Sequence, residues 1–151
     1  MLPPVELVHF LHPWPLAGIL LLNLAVTPVE AHTIKADGEV GVLFHLEPDH
    51  NPKAGDPALV WFALTRRGGE AIGFDACDCR LAVYAAPSNP DLDPLLEPDL
   101  EPIDAESFVG IPGAEVVFPE VGAYVLELSG DPVMEGDFDP FQLTYEVTVT
   151  R

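Results

Sequence analysis

Four residues in the first third of this chain, His32, His45, Asp49 and His50, have the types and spacing to hold a metal ion. His32 matters most, because of what precedes it. An apolar run from Leu16 to Val26 lies between Pro15 and Pro28 and is followed by Val29-Glu30-Ala31. Such a run is too short to span a bilayer and suits the centre of an export signal, and Val29 and Ala31 fit peptidase cleavage after Ala31. No Lys or Arg occurs before Lys35, so the usual basic start of a signal is missing. Cleavage would leave a free α-amine on His32, and the amine and imidazole of one residue can chelate an ion together.

A hairpin relates His32 to His45. Asp37-Gly38 is a two-residue turn signal. With residue 36 facing residue 39, His32 faces Leu43, and His45 is the diagonal neighbour on the same face at about 7–8 Å. His45 shares that outer face with Glu39 and Glu47, and Ile34 falls on it too. His50 follows in the loop Glu47-Pro48-Asp49-His50-Asn51-Pro52, close enough in sequence to fold back. An amine, two or three imidazoles and Asp49 form the nitrogen-rich set that Cu(II) prefers in tetragonal geometry. These groups bind only when deprotonated, so affinity should weaken as pH falls through the histidine range, near about 6.5. Against this, three histidines in a mature chain of this size are ordinary, and each can be a solvated side chain.

Cys77-Asp78-Cys79 is the second group of interest. In an extended strand the two thiols point to one face with Cα atoms about 6.5–7 Å apart, at the limit of what a disulfide closes, so a bulge or turn at Asp78 is expected if they pair. Exported proteins with two cysteines usually pair them. A structural disulfide or buried thiols, a metal-binding dithiol and a redox pair remain open.

Charge bounds the partners. The 151-residue chain carries a net charge of −19. Removing residues 1–31 takes away Glu6 and Glu30 and no Lys or Arg, leaving −17. So acidic a chain excludes nucleic acid, and an anionic membrane, without a bridging cation; contact with a membrane is expected only through an uncleaved signal segment. It favours a metal ion or a basic protein partner, and it also keeps an exported protein soluble. The acidic stretches around Asp91, Asp93 and Asp99 and around Asp137 and Asp139 offer oxygen ligands for Ca²⁺, although neither has the spacing of a calcium loop.

The elements that must position these groups alternate with period two. Phe141, Leu143, Tyr145, Val147 and Val149 alternate with Gln142, Thr144, Glu146, Thr148 and Thr150, the pattern of a half-buried strand. Residues 39–47 behave alike, 58–64 are apolar on both faces, and 79–85, 114–118 and 122–129 supply three more strands. A short piece at 71–74 can pair across Arg67-Gly68-Gly69. Two long acidic connections, 87–106 and 130–140, read as surface loops. The expectation is an all-β, antiparallel, immunoglobulin-like sandwich of about seven strands over residues 32–151, behind a signal peptide at 1–31.

Two resemblances add to this reading. Pro119-Glu120-Val121-Gly122-Ala123-Tyr124 resembles the tyrosine corner of immunoglobulin-like sandwiches, with Leu126 where antibody domains have their second cysteine. A mature N-terminal histidine on a small sandwich resembles the CopC group of periplasmic copper carriers. The segment Pro52-Lys53-Ala54-Gly55-Asp56-Pro57 leading into Ala58-Leu59-Val60-Trp61-Phe62 is similar to the start of YtkA-like and CopC-like domains. The resemblance covers roughly residues 32–66. It implies copper ligation by His32 with Asp49 or His50. Met134 is the only mature methionine, which disfavours a Cu(I) thioether site and leaves Cu(II).

No nucleophile elbow, zinc-protease helix, phosphate loop or dinucleotide fingerprint occurs, and no pair among the many carboxylates stands out as acid and base. The sequence therefore points to a non-enzymatic exported Cu(II) carrier or sensor. The alternatives are an acidic interaction module that binds a basic or Ca²⁺-bridged partner and, third, an oxidoreductase using Cys77 and Cys79.

Overall fold

The computed structural model describes residues 33–151 other than Pro90. The expected signal segment and His32 lie outside the described residues. Among the described residues nine strands form two antiparallel sheets packed face to face, two more strands than the sequence suggested. They are β1 (Thr33–Asp37), β2 (Val40–Leu46), β3 (Pro57–Arg66), β4 (Ala71–Ile72), β5 (Cys77–Ala85), β6 (Glu101–Ala105), β7 (Phe108–Val117), β8 (Gly122–Pro132) and β9 (Phe141–Val149). One sheet runs β1-β2-β3-β7-β6, with β4 pairing onto β3, and the other runs β5-β8-β9. Among the described residues no helix is long and apolar enough to cross a membrane.

The sandwich core is built by alternation. Val40, Val42, Phe44 and Leu46 of β2 and Ala58, Val60, Phe62 and Leu64 of β3 meet Leu126, Leu128, Tyr145, Val147 and Val149 of the facing sheet. Tyr124 makes the expected corner, its hydroxyl donating to the Glu120 carbonyl at 2.8 Å. β4 pairs with β3 through Leu64↔Ile72 and Thr65↔Ala71, so the short strand expected across the glycine turn is present.

Three expectations are corrected. The hairpin closes one residue later: Asp37 pairs with Val40 and Thr33 with Phe44, so the two-residue loop is Gly38-Glu39. Gly38 at φ 58° takes the first loop position, the place a glycine fills in a type II′ turn. Both acidic connections lend residues to strands, because pairing with a neighbour overrides poor strand propensity. Residues 101–105 form β6 against β7, and residues 130–132 extend β8 along β5. Finally, Cys77 and Cys79 form a disulfide without a bulge, in unbroken register with Pro132 and Gly130.

Candidate metal centre

His45 lies on the outer side of β2 yet is only 5% exposed, which corrects the expectation of a solvated outer face. The cause is a second apolar layer. Trp61, Ala63, Ala105 and Ile111 are buried there, with Leu43, Leu59, Ile103 and Phe108 packed on them, so the β6–β7 hairpin roofs this part of the sheet. Trp61 stands directly opposite His45 in the β2–β3 ladder. The two rings stack with centroids 4.8 Å apart and planes inclined by 24°. The indole N–H of Trp61 donates to Glu47 Oε1 at 3.3 Å, and Phe108 packs 5.7 Å from the indole.

His50 is delivered by the turn after β2. The Glu47–Pro48 peptide is cis, and Asp49 and His50 both have positive φ, 54° and 52°. Asp and His are among the non-glycine residues that tolerate this left-handed region. The His50 amide donates to the Leu46 carbonyl at 2.9 Å and that of Asn51 to Pro48 at 3.1 Å, so the chain coils back on the end of β2. The His50 ring then meets Phe44 edge-on at 5.7 Å and His45 at 4.6 Å.

The outcome is a nitrogen-to-nitrogen contact: His50 Nε2 and His45 Nδ1 are 3.2 Å apart. When both rings are neutral, one nitrogen carries the hydrogen and the other offers its lone pair. That separation also suits an ion in place of the hydrogen, since two nitrogens each about 2.0–2.1 Å from one metal and this far apart subtend an angle of roughly 100°. Beside the pair, Thr33, Phe44, Leu46, Asp49, His50, Glu146, Val147 and Thr148 line an open cleft of about 450 Å³ between β2 and β9.

Of the four residues the sequence selected, the structure brings together His45 and His50. Asp49 is exposed on the rim of the same cleft, and His32 lies outside the described residues. Among the described residues no group of three or more His, Cys, Asp or Glu side chains is gathered closely enough to hold a metal. In the second acidic stretch Asp137 is engaged differently: both its carboxylate oxygens accept from Arg66, at 2.5 and 3.0 Å, which holds that carboxyl below its usual range. The sequence placed Trp61 on a strand as a core residue, as its burial bears out, and Glu146 on the outward face of the last strand, but gave neither a place beside the histidines. Trp61 could have been found from the β2–β3 register, which residue types alone do not define across a ten-residue connection; Glu146 carried no signal.

Comparison with known proteins bears on the fold. No family model and no curated protein matches the chain. Two solved structures share its architecture at low identity. One is a DUF4426 family protein from Pseudomonas aeruginosa PAO1, with a TM-score of 0.53 and 7% identity over 78% of this chain and 96% of that one. The other is FetP from uropathogenic Escherichia coli strain F11, expressed recombinantly in the periplasm, with a TM-score of 0.54 and 15% identity over 80% and 94% of the two chains.

Proposed function

We propose that this protein is an exported, non-enzymatic Cu(II)-binding protein, a carrier or sensor, with His45 and His50 as two of its ligands. The observation that supports this most directly is their 3.2 Å contact in a half-sheltered notch. Stacking on Trp61 fixes the His45 ring, so binding loses little side-chain freedom there. The remaining ligands are assigned to the amine and imidazole of His32 after cleavage and to Asp49. Thr33↔Phe44 is the last described pair of the β1–β2 ladder. The described end of that ladder is thus next to His45 in β2. A fold shared with FetP is consistent with this reading, and the strong negative charge favours a cation near the surface.

The test is a Cu(II) titration of protein beginning at His32, followed by EPR, beside a version with one extra residue before His32. A nitrogen-rich spectrum, weakened by the extension and by His50→Ala, supports the reading. Equal, weak binding by all three forms overturns it.

A further inference from the structure

We propose that the Cys77–Cys79 disulfide is a site of thiol–disulfide exchange, opened at Cys79 by an external thiol; this is independent of the metal reading. The bridge is a poor staple. It closes a loop with a sequence separation of two, and chain-entropy stabilisation is smallest for the shortest loops. β5 is in any case held along its length by nine consecutive pairs with β8.

The bridge instead works against its strand. Alternate Cα atoms of an extended strand lie about 6.4–6.8 Å apart. Those of Cys77 and Cys79 are 5.2 Å apart, so the bond shortens β5 and its reduction lets the strand extend. Bridges that deform their surroundings are the more reducible ones.

Access is unequal. Cys77 is 5% exposed and belongs to the core, whereas Cys79 packs on the margin of that core and is only half-buried, on β5, an edge strand of its sheet. Gly130 makes room for the inner sulfur: a Cβ there would stand 2.7 Å from Cys77 Sγ and 2.5 Å from the Phe141 ring.

These features set the order of events. An external thiolate attacks Cys79 Sγ, the Cys77–Cys79 bond breaks, and Cys77 leaves with the electron pair. Apolar surroundings disfavour a thiolate, so Cys77 takes a proton and stays as a buried thiol. A second external thiolate then attacks the external sulfur of the mixed disulfide and releases Cys79, which is protonated in turn. Two external thiols become one disulfide, and two electrons and two protons pass to the protein. Run backwards, the same steps oxidise a dithiol. The co-reactant is thus a thiol reductant, supplied as a small molecule or as a protein dithiol.

Native, metal-free protein is incubated with reduced glutathione and, separately, with a reduced protein dithiol of the C-x-x-C kind, then alkylated and weighed. Doubly alkylated protein should appear without denaturant in at least one arm, and the reacting arm identifies the source of the thiol. With oxidised glutathione, Cys77→Ser should form a mixed disulfide several-fold faster than Cys79→Ser, in the direction of the exposure difference. Tryptophan fluorescence checks that both variants are folded. A bridge that opens only in denaturant, or equal trapping of the two variants, overturns the proposal. Should either variant fail to fold, the two incubations of the native protein decide alone.

Discussion

Strand β9 buries every second residue from Phe141 to Val149, whereas β3 buries five in a row, Val60 to Leu64. Both strands look onto the same core. They differ in what lies behind them: β9 presents Gln142, Thr144, Glu146 and Thr148 to water, while β3 carries the layer of Trp61, Ala63, Ala105 and Ile111 on its back. His45 belongs to that covered side. A polar residue at an outward position can therefore be either wet or deeply sheltered, depending on whether a later segment of chain folds across it.

Four substitutions break or sharpen this contrast. Trp61→Ala removes the largest side chain of the rear layer and should cost about 3–5 kcal/mol in denaturant unfolding, as for other buried aromatics. A loss no larger than that of a wet-face residue would mean that the rear layer is not a core. Tyr124→Phe leaves the packing of the ring against Phe118 intact and deletes both corner hydrogen bonds, one donated to the Glu120 carbonyl and one accepted from its amide, an expected loss of about 1–1.5 kcal/mol measured in the same way.

Tyr145→Phe tests the opposite case on β9. Its hydroxyl is buried with no hydrogen-bond partner among the described residues, and burial alone pushes the phenol well above its usual range. Deleting that hydroxyl should leave stability unchanged or raise it by up to about 1 kcal/mol. Because the folded pKa exceeds the unfolded one, the contribution of the neutral phenol is complete below about pH 10 and declines as pH rises towards the folded value. Alkaline unfolding curves should accordingly be flatter for the variant; identical curves would place the phenol in contact with water. Thr144→Ala, on the wet face, should shift stability by no more than about 0.5 kcal/mol. A larger effect there would show that the outer face of β9 is covered as well.

The sequence was legible where one physical rule governs. Alternation along β9 announced both its extent and its faces, and the Tyr124 corner was readable because its partner lies four residues away. Local signals also placed the glycine turn between β3 and β4. Legibility failed where distant pairing decides. Glu101 to Ala105 holds a proline and three acids or alanines, and only the ladder with β7 makes it a strand. The hairpin at Gly38 was legible as a turn, but which residues flank the loop depends on the pleat that Val40 and Val42 must keep towards the core. In the candidate metal centre, the approach of His50 to His45 was foreseeable from a five-residue separation, whereas the stacking of Trp61 was not.

Three long-range hydrogen bonds strap the first hairpin to the last strand and the turn before it. Lys35 Nζ donates to the Thr144 carbonyl at 2.6 Å, the Gln142 amide to Asp37 Oδ2 at 2.9 Å, and the Asp139 amide to Glu39 Oε1 at 3.1 Å. Each joins residues at least 100 positions apart. A chain emerging from its amino end can therefore hold β1 and β2 through the ladder to β3, but lacks these three bonds until almost all of it has been made. Closing so long a loop is slow compared with local pairing. The turn end of the first hairpin, at the opposite end of β2 from the Leu46 carbonyl that holds His50, is thus the last part to be tied across, and the chain's final residues complete that seam.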